Sequence, residues 1–318
     1  GQYNNAFGND ALKVNTASSN SAFGHAALVA NTTGALNTAV GANALSSNVS
    51  GGDNVAVGNN ALTVSTGSRN TALGYNAMTD TTSGQDNTAV GFGSLGNNTT
   101  ASYNVAVGRS SMSVNTTGTV NTAVGYQSLK GNTTGGYNVA IGHESMLTNT
   151  TGITNTALGN NALRANTTAS QNVGLGTNAL YANTTGANNT AVGHNALDAN
   201  TTGTLNTAVG KDALGSNTTA STNTAVGREA LRDNTTGSDN VAVGVSSLSS
   251  NVTGTDNVAM GTSALKNNTN SFNTAVGDKA METNTSGTNN SAYGHQALNK
   301  NTTGGLNTAL GLNSLYNN

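Results

Sequence analysis

Cysteine and proline are both missing from this chain of 318 residues. Without cysteine there is neither a disulfide framework nor a thiolate metal site, so stability has to come from packing and hydrogen bonding. Without proline no backbone N–H is deleted, as expected where nearly every N–H pairs with a neighbouring strand or coil. Asn-Gly, the strongest short signal for a hairpin, does not occur despite the abundance of both residues, which favours coils over hairpin meanders. Charge is scarce as well. Only 8% of residues are charged and the formal net charge is −2, which leaves no electrostatic footprint for nucleic acid or an anionic membrane surface. No apolar run approaches the roughly 18 residues of a membrane span.

What the chain does contain is one unit copied nineteen times, from Asn4-Asn5-Ala6-Phe7-Gly8 to Asn307-Thr308-Ala309-Leu310-Gly311, at a spacing of 17 residues or, three times, 16. Aligned on its first Asn, the unit reads N-T-A-V-G-x-x-A-L-x-x-N-T-T-G-x-x. Units this short cannot bury a core alone and are stable only when stacked. Asn at position 1 and Gly at position 5 never change, position 4 is always a larger apolar residue, and position 9 is always Leu or Met. The recurring ladder is represented by Asn37, Gly41 and Leu45, by Asn121, Val124, Gly125, Leu129 and Asn132, and by Asn206, Val209, Gly210 and Leu214. Fixed apolar positions at constant spacing speak against disorder, which the low charge and the Asn, Ser, Thr and Gly content would otherwise suggest.

Alternation within N-T-A-V-G has the period of a short strand. The larger side chains at positions 2 and 4 are expected to face the core, with position 13 (Thr, or Val49 and Val252) also inward. Position 3, Ala in every unit except Gly174, then faces away and is expected to form a dry contact with another chain. The Gly at position 5 supplies a backbone angle or close approach that a Cβ would forbid. The 11 Lys and Arg and 13 Asp and Glu all fall at positions 6, 7, 10, 11 or the last residue of a unit, which marks the solvent face. In the short units the missing residue falls between positions 12 and 17, where a turn tolerates deletion. Residues 1–318 therefore read as one repetitive all-β array, a parallel β-solenoid of about 19 coils. At about 4.8 Å per coil it would be a rod on the order of 90 Å long. It starts and stops inside a unit, as a segment of a longer fibre would. A core of about two large side chains per coil is thin, so a homo-oligomer, three chains around one axis, is expected.

Asn-Val-Ala-Val-Gly at Asn54–Gly58, Asn104–Gly108 and Asn240–Gly244, with Asn138-Val139-Ala140-Ile141-Gly142, resembles the head repeats of trimeric autotransporter adhesins. Longer stretches such as Asn121–Gly135 resemble the arrays of phage tail-fibre proteins. The resemblance covers the whole chain, although the adhesin-head coil is shorter. It implies a left-handed, trimeric β-roll in an extracellular fibre, on a virion or a cell surface, with copies of itself and a host-surface glycan or receptor as expected partners.

Candidate chemistry is sparse. His25, His143, His194 and His295 share position 6, but their closest spacing is three coils, about 14 Å, far beyond shared metal coordination. Gly91-Phe92-Gly93-Ser94-Leu95-Gly96 spells a lone G-x-G-x-x-G with no following helix pattern or acidic partner. Asn-Thr-Thr at Asn31, Asn115, Asn183 and Asn234 matches a glycosylation sequon, but Asn and Thr also suit a turn and a ladder. Tyr75, Phe92 and Tyr126, with His143 and His194, are the candidate surface-recognition residues, the aromatics offering a stripe for sugar stacking. Neither a cofactor nor an enzymatic constellation is called for. Two non-catalytic functions remain: a structural fibre, as shaft, adhesive spacer or self-assembled filament, and an ice binder using Thr ladders.

Overall fold

The computed structural model describes residues 1–318 as a parallel β-solenoid without helix, one three-residue strand per repeat. The chain divides into two compact units, residues 1–157 and 158–318. In the first, β1 (Asn5–Phe7), β2 (Ser21–Phe23), β3 (Thr38–Val40) and their successors stack in chain order up to β8 (Thr122–Val124) and β9 (Val139–Ile141). In the second, β11 (Val173–Leu175), β12 (Thr190–Val192) and β13 (Thr207–Val209) begin the same succession, which ends at β19 (Thr308–Leu310). Register is in phase: position 2 meets position 2, Ala meets Ala, and position 4 meets position 4, as in Thr207↔Thr224, Ala208↔Ala225 and Val209↔Val226.

The buried set in each coil is small. In the third coil it comprises Asn37, Ala39, Ala44, Leu45, Asn48 and Gly51, at positions 1, 3, 8, 9, 12 and 15. Leu45, Leu129 and Leu214 at position 9 are fully enclosed, and each such Leu contributes about 1.5–3 kcal/mol. The charged residues all lie outside this set, in agreement with their positions in the repeat.

The strand faces are the reverse of the sequence-based expectation. Ala at position 3 is the inward residue, at 0% exposure in coil after coil, and positions 2 and 4 point out. Val124 is half-buried and Val209 is 36% exposed, so both belong to the outer face of the sheet. The reason is the narrowness of the coil. A Cβ built on Gly174 would lie 3.4 Å from Cδ1 of Leu163 and 3.2 Å from the Ala179 carbonyl oxygen. Position 3 therefore packs against the Leu of position 9, and only Ala or Gly fits there. Its constancy is explained by the interior of its own chain, and the expected contact with another chain through position 3 is withdrawn. Position 13 is likewise outward: Val49 is 45% exposed and Val252 41%. Its Thr hydroxyls donate to the carbonyl at position 13 of the following coil, Thr116 Oγ1 to Thr133 O at 3.0 Å.

Turns occupy positions 6–11 of each coil. Positions 7, 9 and 17 adopt the left-handed backbone conformation without being glycine, for example Asn43 (φ 58°), Leu45 (φ 51°) and Asp53 (φ 58°). The position-5 glycines take φ values near Gly125's 134°, and a Cβ there would come within 2.4 Å of the Gly142 carbonyl oxygen. Both the angle and the approach exclude a side chain.

Two stability predictions follow the inverted faces. Ala123→Val should overpack the interior and destabilise by about 1–3 kcal/mol, whereas Val124→Thr next to it should change stability by no more than about 0.5 kcal/mol. Urea-unfolding midpoints check both, and the opposite order would restore the original assignment of faces. Gly125→Ala, in contrast, should cost about 3 kcal/mol or more through strain and collision, with hydrogen exchange accelerated around Val124–Gly142.

Candidate functional site

The most extensively built feature is a pair of side-chain amide ladders. At position 1, Asn37 Oδ1 accepts from the Asn54 backbone N–H at 3.0 Å, while Asn37 Nδ2 donates to the Gly51 carbonyl at 2.8 Å. At position 12, Asn48 Nδ2 donates to Asn31 Oδ1 at 2.9 Å and to the same Gly51 carbonyl at 2.9 Å. One carbonyl at the position-15 corner thus gathers both amides of its coil. In the second unit the arrangement recurs, with Asn206 and Asn217 both donating to Ala220 O, at 2.8 and 3.1 Å. Asn121 and Asn132 do the same at Gly135 O, each at 2.9 Å.

The ladders also locate the missing residue of the short repeats. Ordinarily Nδ2 at position 12 reaches a carbonyl three residues on, but Asn15 and Asn268 reach Ala17 and Asn270, two residues on. The omitted residue therefore lies between positions 12 and 15, inside the turn where the sequence placed it, and strand register is unchanged across it (Val55↔Thr71).

Asn31, Asn115, Asn183 and Asn234 are all at 0% exposure with Nδ2 bonded inside the chain, so these sequon residues serve the ladder in the folded protein. The Gly91–Gly96 run lies in the bend and turns that follow the strand Thr88–Val90, with no helix after it.

On the outer surface the candidate recognition residues divide. Tyr75 and Phe92, from adjacent coils, stack with ring centroids 5.2 Å apart and planes at 15°. Arg109 lies over Phe92 at 5.6 Å and over Tyr126 at 6.0 Å, and Tyr126 stacks on His143 at 5.2 Å. Five successive coils therefore build one continuous column at position 6. Arg109 was not among the expected residues, although reading position 6 coil by coil would have found it. The stacking engages the ring faces with one another and leaves their edges to solvent, which removes Phe92 as a platform for sugar stacking. His194 is exposed elsewhere at position 6, with Thr177 and Lys211 at that position in the coils before and after. His295 pairs with Asp278 at 3.3 Å, also between adjacent coils.

Ionic contacts are confined to the surface. Arg69 binds Asp86 across coils through two bonds, 2.7 and 2.9 Å, which hold the half-buried Asp86 carboxyl below its ordinary range. Asp198 is different: partial burial pushes its carboxyl up, and the nearby Asp212 adds to the shift. It lines an open polar hollow of about 380 Å³ with Asn161, Asn178 and Tyr181. A second hollow, about 320 Å³, lies among Asn76, Asp80, Phe92, Gly93 and Ser110 of the first unit. No group of three or more His, Cys, Asp or Glu side chains is placed to hold a metal ion, and no helix is long and apolar enough to cross a membrane. No protein-family model matches the chain, and a search of curated proteins found no match.

Two measurements probe these groups. Thr81 interrupts the position-12 ladder and leaves its hydroxyl buried without a partner, so Thr81→Asn should raise stability by about 1 kcal/mol. An acid with a raised folded pKa costs stability once ionised, above that pKa. Asp198→Asn should therefore stabilise at neutral pH, with the gain vanishing as pH falls through the folded and then the unfolded pKa. Denaturation midpoints measured across pH check the sign.

Proposed function

We propose that this chain is a structural fibre segment, an extracellular shaft or adhesive spacer of a virion tail fibre or cell-surface adhesin, that acts without catalysis. The observation that carries the reading is the repetition of one buried set at the same positions in coil after coil. Any coil so built offers its neighbour the same amide, leucine and backbone partners, so length is set by copy number while the outer positions 6, 7, 10, 11, 16 and 17 vary. The resemblance to adhesin-head and tail-fibre repeats points the same way.

The proposal includes association with copies of itself, three chains around one axis. Its support is now the outer face of the sheet. Positions 2 and 4 carry uncharged residues throughout, among them Val40, Leu73 and Met260 at 38%, 46% and 43% exposure. A second copy has the same axial period as this face and is able to match it coil for coil. Light scattering should give three times the chain mass. Val90→Lys, Val107→Lys and Val124→Lys together should reduce it to the monomer with the β circular dichroism spectrum retained. A monomeric parent protein would remove the self-association.

One observation favours a second reading, an ice binder. Position 2 faces solvent, so Thr190, Thr207 and Thr224 form an outward Thr row on the sheet. Thermal hysteresis in a cooled solution would support ice binding, and its absence would leave the fibre.

A further inference from the structure

The two hollows described above share a constellation that the position-1 and position-12 ladders do not use, although Phe92 of the first also belongs to the stacked column. In the first, Gly93 and Gly96 withdraw side chains from positions 7 and 10 of one coil, and a Cβ built on Gly93 would meet nothing within 4 Å. Asn76 and Asp80 stand on one side of this floor, Ser110 on the other, and the edge of Phe92 closes it. In the second, the half-buried Asp198 carboxylate and the amides of Asn161 and Asn178 surround Tyr181, whose ring carries Arg164 at 5.8 Å. Each hollow thus has at least one amide at position 7, one carboxylate at position 10 or 11, and one adjoining aromatic ring.

We propose that these hollows are subsites for neutral carbohydrate. The position-7 amides bond one another between coils (Asn60 to Asn76, Asn161 to Asn178, Asn178 to Asn195), and the N–H groups and lone pairs these bonds leave over, with the carboxylate, offer donors and acceptors for sugar hydroxyls. The Tyr181 ring at the second hollow is able to meet the apolar C–H side of a sugar, whereas Phe92, stacked on both faces, only bounds the first. At about 320 and 380 Å³ both hollows are at the lower end of ligand-site volumes, the size of one or two sugar residues of a longer chain. Other ligand classes fit less well. A hard cation takes about six to eight oxygen ligands, and each hollow supplies a single carboxylate. A phosphate or sulfate would meet that carboxylate with no cationic side chain in either lining. An apolar ligand would leave the amides of Asn161 and Asn178 without solvent.

The inference deepens the adhesive side of the proposed function and rests on that reading. Its test is retention of the full chain on an array of immobilised neutral hexose and N-acetylhexosamine oligosaccharides, printed beside sialylated and sulfated ones. Two substitutions remove the subsites with precedent inside the protein. Gly93→Gln fills the first hollow, and position 7 already carries Gln127 and Gln296 in the same backbone conformation. Asp198→Ser removes the second carboxylate, and position 10 already carries Ser46. The parent should bind neutral oligosaccharides, and the double variant should bind at least about tenfold more weakly with its circular dichroism spectrum unchanged. No retention on neutral sugars, retention on charged sugars alone, or equal binding by the double variant would each overturn the proposal. An empty array from a protein with a β spectrum and the expected scattering mass would remove the sugar subsites and leave the fibre standing; a failure of the fibre reading would show in the spectrum and mass instead.

Discussion

Buried asparagine is the constraint on which the rest of this structure depends. A typical coil encloses one large apolar side chain, at position 9, beside amides at positions 1 and 12, the latter replaced only by Ser65 and Thr81. A buried amide without partners costs about 1–3 kcal/mol, so the coil is tenable only if each amide is paired, and the partners come mainly from the coil itself and its neighbours. The position-1 oxygen accepts a backbone N–H of the next coil, and the position-12 amide bonds the amide of the previous one. Stacked identical amides of this kind are the glue of cross-β ladders. Here they also fix the corner, because both Nδ2 groups converge on one carbonyl. In-phase register follows, since a slip by one residue would leave two amides per coil unpaired.

The narrow interior follows from the same arrangement. Amides, Ala and a single Leu leave the strand so close to the opposite turns that position 3 can be no larger than Ala. The chain closes around this core through left-handed residues, three of them non-glycine in a typical coil. Asn and Asp adopt that conformation readily, and many stand at positions 7 and 17; Leu does so at a cost of roughly 1–2 kcal/mol. The burial and backbone pairing of Leu45, whose N–H donates to Ala61 O at 3.0 Å, hold it there.

Much of this was legible in the sequence because repetition turns a chain into its own alignment. The coil, its parallel stacking, the enclosed Leu at position 9, the turn that absorbs deletions and the charged exterior each left a signal at a fixed position. The direction of the strand faces did not. Alternation separates positions 2 and 4 from position 3 but carries no sign, and size suggested the wrong one: Val124 and Val209 are larger than Ala123 and Ala208 yet face outward. Charge could not arbitrate, because none occurs at positions 2, 3 or 4. The polar residues at positions 1 and 12 held the answer, since a core lined by amides is too narrow for two rows of Val. The surface was legible in part: Tyr75, Phe92, Tyr126 and His143 stood out as single residues, whereas their joining through Arg109 depends on a coil spacing that only the structure supplies.

The central claim is that the asparagine amides are internal structural groups, and side-chain hydrogen exchange observed by NMR tests it most directly. The Nδ2 protons of Asn121, Asn132, Asn206 and Asn217 are expected to exchange as slowly as the backbone amides of the strands, while those of the exposed Asn59 and Asn97 exchange at the rate of free asparagine. Fast exchange at positions 1 and 12, with the strands still protected, would contradict the account.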